Sequence, residues 1–70
     1  MWTRIKESEL VIRQSSLPAR VVLESNSLPT EYRTHLEIIQ KHGEATFLHG
    51  RIFEDLTKAQ EDFERRQQRL

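Results

Sequence analysis

Three histidines, His35, His42 and His49, recur at a spacing of seven residues. Imidazole ligates metals and is the side chain that ordinarily titrates near neutral pH, so such a row could hold an ion or switch a contact. The spacing argues against the ion. Residues seven apart on one helix lie about 10.5 Å apart along its axis, whereas zinc–ligand bonds are about 2 Å long. Gly43 also interrupts the row. The histidines therefore read as surface residues, and no metal site is expected. Ser8, Ser15, Ser16, Ser25 and Ser27 supply hydroxyls, but G-x-S-x-G, H-E-x-x-H and a glycine-rich phosphate loop are all missing from a chain whose glycines are Gly43 and Gly50. The acidic pairs Glu54-Asp55 and Glu61-Asp62 fit a solvated helix face better than acid–base work. Ligand pockets occupy about 300–1,000 Å³, more than a chain this small readily encloses alone. The sequence points away from catalysis and calls for no cofactor.

Binding is the remaining chemistry. Nucleic-acid recognition needs cations gathered on one surface, because neutralising phosphates supplies most of the nonspecific affinity. Here 11 Lys and Arg balance 11 Asp and Glu. Residues 1–43 carry six basic and five acidic side chains and residues 44–70 carry five and six, so neither half is a basic domain. Local clusters remain: Arg4, Lys6, Arg13 and Arg20 toward the N-terminus, and Arg65, Arg66 and Arg69 at the other end. Arg13 and Arg20 flank a predicted turn and are the candidate DNA contacts.

The chain of 70 residues is one small domain. Leu, Ile, Val and Phe make up 19 of those residues, enough to fold. A domain this size buries only about 60% of its unfolded surface, and its core supplies roughly 3–5 kcal/mol. Without cysteine there is no disulfide or thiolate zinc to help, so a second copy or a partner is expected. No apolar run approaches the ~18 residues of a membrane span and no signal sequence is visible, so a cytoplasmic setting is expected.

The elements that would position these residues follow from pattern. Glu9–Gln14 and Ala19–Ser25 are rich in Val and Ile and read as the strands of a β-hairpin over 9–25. S-L-P-A also resembles a capped helix start at Ser16, a competing reading. Ser27-Leu28-Pro29-Thr30-Glu31 resembles a helix start, and Tyr32, Leu36 and Ile39 at spacings of four and three extend it into a first helix over 29–42 ended by His42-Gly43. Ala45, Leu48, Ile52, Leu56, Ala59 and Phe63 continue a helical stripe and predict a second helix over 45–68. Within it F-L-H-G-R-I-F could instead form a tight hairpin turning on His49-Gly50; the six-position helical stripe outweighs that reading, and 45–53 stays open between the two.

The second helix is longer than its own domain needs. Ile52, Leu56, Ala59, Phe63, Arg66 and Leu70 follow a 4-3-4-3-4 spacing, like the apolar seam of a short coiled coil. The first helix offers too few apolar positions to cover it, so Leu48, Ile52, Leu56, Phe63 and Leu70 are expected to form a protein interface.

The order strand, S-L-P-T-E-Y, helix, H-G, helix over residues 20 to 63 resembles the ribbon-helix-helix family of dimeric repressors and antitoxins. That resemblance implies paired strands in the DNA major groove, read from Arg20, Val22 and Glu24 or from Val21, Leu23 and Ser25. S-N-S before Leu28-Pro29 and the additional N-terminal strand depart from the family pattern. The expected architecture is α+β: a β-hairpin, then a two-helix hairpin whose second helix projects, assembled as a homodimer. The expected function is a small non-enzymatic regulatory or adaptor protein, of mobile-element type, that self-associates and binds a protein partner. The alternative is a DNA-binding repressor.

Overall fold

Residues 31–38, E-Y-R-T-H-L-E-I, put a charged or imidazole side chain at every odd position and Tyr, Thr, Leu or Ile at every even one. That period of two is the signature of a strand with one buried face. The computed structural model describes residues 1–13 and 16–70, the side chain of Arg13 excepted. It contains β1 (Thr3–Glu7), β2 (Val11–Arg13), β3 (Ser16–Ser27), β4 (Thr30–Ile39), β5 (Ala45–Phe53) and one helix, α1 (Leu56–Gln68). The strands form an antiparallel sheet in the order β1-β3-β4-β5, with β2 pairing to β3 beside β1.

This architecture overturns the expected β-hairpin followed by a two-helix hairpin. Where helix 29–42 was expected, β4 runs antiparallel to β3, with Val21 opposite Leu36 and Leu23 opposite Thr34. Tyr32, Leu36 and Ile39 do fall at helical spacing, but so do Tyr32, Thr34, Leu36 and Ile38 at strand spacing, and Thr34 hides that pattern because it is polar. Pro29 sits in the tight turn between β3 and β4, its bond to Leu28 cis, and starts no helix. Gly43 is left-handed, with φ of +92°, yet it closes the β4–β5 turn instead of capping a helix.

The expected helix 45–68 is divided. Its first half is strand β5, neither helix nor hairpin, and its second half is α1. Asp55 marks the boundary, its side chain accepting a hydrogen bond from the Thr57 amide at 2.9 Å as an N-cap. With β4 and β5 as strands, the strand–helix–helix order of the ribbon-helix-helix resemblance is also set aside. Between Thr34–Arg51 and Leu36–Leu48 the ladder shifts register, so that His35 faces the two residues His49 and Gly50. This is a β-bulge, and His49 takes the left-handed conformation (φ of +57°) that it requires.

At the opposite side of the sheet Ser8 bridges the break between β1 and β2. Its amide donates to the Val21 carbonyl at 2.9 Å and its hydroxyl accepts from the Val21 amide at 2.8 Å, so both backbone groups of a central strand stay satisfied.

Helix α1 covers one sheet face. Val21, Leu23, Ala59 and Phe63 form the core, with Tyr32, Leu36, Phe53, Leu56 and Leu70 packed around it. The apolar spacing of the helix is thus satisfied within its own chain. Thr34 and Asp62 are buried in the same layer, the Thr34 hydroxyl donating to the Asp62 carboxylate at 2.5 Å. Arg66 donates to that carboxylate from Nε at 2.7 Å and to the His49 carbonyl from Nη2 at 2.6 Å. One polar chain therefore ties β4, α1 and the β5 bulge together.

Phe63→Ala is expected to cost about 3–5 kcal/mol, as much as the whole core supplies, and to abolish the cooperative thermal transition seen by circular dichroism. Leu70→Ala, at the partly exposed rim, should keep the transition at a lower Tm. Thr34→Val should cost about 1–3 kcal/mol in chemical denaturation despite its matched shape, because a buried carboxylate loses a donor.

Candidate functional site

The sheet has two outer edges that differ in charge. On one side lie β1, which carries Arg4, Lys6 and Glu7 beside the exposed Ile5 and is interrupted by a register shift between Arg4 and Lys6, and the three-residue β2 with the exposed Ile12. Charge and irregularity are the usual devices that keep an edge from pairing with other chains. Among the described residues no strand pairs with the outer side of β5 either. That edge begins with the uncharged run Ala45-Thr46-Phe47-Leu48 and contains no Lys or Pro. Phe47, Leu48 and Ile52 are 47%, 44% and 56% exposed there.

The bulge decides which way these side chains point. Phe47 lies opposite Glu37 and Ile52 opposite Arg33, so both belong to the sheet face away from α1, although an unbroken strand would put positions five apart on opposite faces. Leu48 and Arg51, opposite Leu36 and Thr34, share the helix side. An apolar patch thus runs from Phe47 to Ile52 along the free edge.

The rest of the face away from α1 is an ordered ionic surface. Arg4 donates to Glu37 and to Glu7, each at 2.8 Å, and Arg20 lies 2.7 Å from Glu37 and 3.5 Å from Glu7. Arg33 holds Glu24 at 2.7 Å and lies 4.2 Å from the centre of the Trp2 ring. His35 approaches Glu24 at 3.0 Å and stacks on Phe47, with centroids 4.5 Å apart and planes inclined by 16°. The lattice buries what it covers. Val22 has no exposed surface although no helix lies over it, and His35 and Glu37 are nearly as hidden.

Burial and pairing set the charges. Burial pushes the Glu37 carboxyl up, but the hydrogen bond from Arg4 and the fields of Arg4 and Arg20 outweigh it, and the group is held below the usual carboxylate range. Asp62 follows the same logic: burial raises it, while the Thr34 hydroxyl and Arg66 bring it below its ordinary value. For His35 burial dominates and lowers the imidazole, Glu24 opposing and Arg33 assisting, so the ring is neutral at pH 7.

The expected site residues are dispersed. Leu48 and Ile52 are on β5, while Leu56, Phe63 and Leu70 belong to α1 or its end, with Phe63 only 1% exposed and Leu56 and Leu70 against the core. The five therefore do not share one helical stripe. Arg20 is held by two carboxylates, and the side chain of Arg13 lies outside the described residues. His35, His42 and His49 fall on a strand, a turn and a bulge, and among the described residues no three His, Asp or Glu are placed to share a metal ion. Phe47 is not among the expected interface residues, although it lies within the charge-free run Ala45-Thr46-Phe47-Leu48. Among the described residues no helix is long and apolar enough to cross a membrane.

No protein-family model matches the chain, and no curated protein or solved structure is found to be similar to it.

Because His35 is lowered on folding, the pH-dependent stability it contributes is complete above the unfolded value of about 6.5 and is lost as pH falls from there through the lower folded value. Glu37 and Asp62, also lowered, keep theirs until pH falls below about 4. Urea denaturation across pH should show stability dropping in two stages, and His35→Gln should remove the upper stage while leaving the acid one.

Proposed function

We propose that this chain is a small non-enzymatic binding protein, regulatory or adaptor in role, that assembles with a second copy of itself through the free edge of β5. The contrast in charge between the two sheet edges carries this reading: β1 carries Arg4, Lys6 and Glu7, whereas β5, although bulged at His49-Gly50, is uncharged over its first four residues and half-exposed at Phe47 and Leu48. An edge strand presents a row of unpaired amides and carbonyls, and pairing it with an identical strand satisfies them.

Symmetry narrows the arrangement. Two-fold antiparallel pairing keeps both helices on one side of the joined sheet and makes facing residues share a side. Centring on Phe47 places Phe47 against its twin and Thr46 against Leu48, within the regular part of β5 before the His49-Gly50 bulge. Glu44 then faces Gly50, and the acidic Glu54-Asp55 pairs of the two copies stay apart. The formal net charge of zero leaves little long-range repulsion between copies. The joined sheet reads β1-β3-β4-β5 and back again, and its face away from the helices brings two Phe47–His35 stacks together as a surface for a protein partner. Both buried carboxylates, Glu37 and Asp62, are engaged by arginine, which favours binding over acid–base catalysis.

Sedimentation velocity across micromolar concentrations tests the assembly. The parent should sediment as a dimer. Phe47→Lys should weaken association at least tenfold with an unchanged circular dichroism spectrum, while Ile12→Lys, at a still more exposed apolar position but on β2, should leave it intact. A parent that stays monomeric, or a Phe47→Lys variant that sediments like it, overturns the reading.

A further inference from the structure

A cleft of about 410 Å³ lies between β5 and the C-terminal half of α1, and four arginines line it: Arg51, Arg65, Arg66 and Arg69. Asp62 is the one carboxylate side chain among the lining residues, and it already receives Arg66 at 2.7 Å and approaches Arg65 at 3.5 Å. Arg51 and Arg69 form no ion pair among the described residues. Arg51 lies beside the Phe53 ring, at 5.6 Å, and its field reaches Asp62 without a direct ion pair. In a chain whose formal charges sum to zero, four cationic side chains against one carboxylate side chain is a local excess of positive charge that the rest of the chain balances.

Helix polarity explains part of this. Arg65 and Arg66 sit in the last turn of α1, where the macrodipole favours cations. It does not explain Arg51, which comes from a different element and reaches the same cleft because the β5 bulge turns it to the helix side. Like charges converging from two elements repel unless an anion sits between them, and the repulsion is stronger where low-dielectric walls focus the field. Arg66 is already fixed by Asp62 and the His49 carbonyl, so at least one guanidinium is positioned before any ligand arrives.

The walls specify the rest of the ligand. Leu36 and Leu70 supply apolar surface beside the arginines. The volume lies within the range of pockets that hold drug-sized molecules, well beyond one phosphate group. We propose that this cleft binds an organic phosphate, a ligand with two or more negative charges joined to an apolar or planar body, as in a nucleotide. Guanidinium groups suit the anionic end because they donate in a fork that matches phosphate oxygens. The proposal is independent of the strand pairing, since Phe47 faces away from the cleft.

Isothermal titration of the full chain with ADP tests it, alongside pyrophosphate, adenosine and a single-stranded oligonucleotide at fixed ionic strength. ADP should bind saturably with one site per chain, pyrophosphate at least tenfold more weakly, and adenosine below detection. Arg51→Gln and Arg69→Gln, both at exposed positions, should each weaken ADP at least tenfold without changing Tm, and Phe47→Lys should leave ADP binding unchanged. The proposal fails if ADP shows no saturable binding, if pyrophosphate binds as tightly as ADP, if neither glutamine variant matters, or if only the oligonucleotide binds, with a stoichiometry that grows with its length.

Discussion

A single buried carboxylate fixes how the two layers of this protein meet. Asp62 accepts from Thr34 on β4 and from Arg66 on its own helix, and Arg66 reaches on to the His49 carbonyl in the β5 bulge. A helix packed on a sheet by apolar contacts alone can slide or rotate at small cost, because dispersion and area burial have little directionality. Hydrogen bonds to a charge do have it. With the ladder and the helix both anchored to one side chain, the core positions Val21, Leu23, Ala59 and Phe63 have one register in which to interdigitate. Burying a charge is unfavourable, and the donors around Asp62 more than offset that, as its lowered carboxyl reflects.

The sheet's two faces solve the same problem by different means. On one side α1 excludes water from Val21 and Leu23; on the other, arginine and glutamate side chains lie across Val22 and pair with one another. The aliphatic stems of arginine cover apolar surface while their heads remain solvated. Isolated exposed ion pairs contribute little, but Glu37 is nearly buried and shared by two arginines, a connected arrangement that holds its geometry. This is how, among the described residues, a sheet covered by helix α1 on one face keeps Val22 on its other face dry.

The sequence made its β-strands legible where branched residues cluster, as at Val21 and Val22, and obscured them where polar residues occupy the buried face. Thr34 is the decisive case: read as polar it breaks the alternation of β4, yet in the fold its hydroxyl is satisfied by a residue 28 positions away. No local pattern announces such a partner. The stripe at Leu56, Ala59 and Phe63 identified a true helix, and its extension back through Leu48 and Ile52 failed because the bulge at His49-Gly50 resets strand phase in a way that mimics a helical period. The arginines of the cleft were visible as a C-terminal cluster, but Arg51 joins them only through that reset. Asp55 is a residue type that caps helices, so the true start of α1 was present in the sequence and was outweighed by the continuity of the stripe.

The bulge is therefore more than a local irregularity. Without it, Phe47 and Ile52 would fall on opposite faces and Arg51 would point away from α1. With it, the free edge keeps its apolar side chains together on one face while the same strand sends a cation to the other. The left-handed His49 that makes this possible is stabilised from outside the strand, by the guanidinium that Asp62 orients. An apolar edge and a cationic cleft thus share one structural cause, and the helix-to-sheet anchor described first keeps both in place.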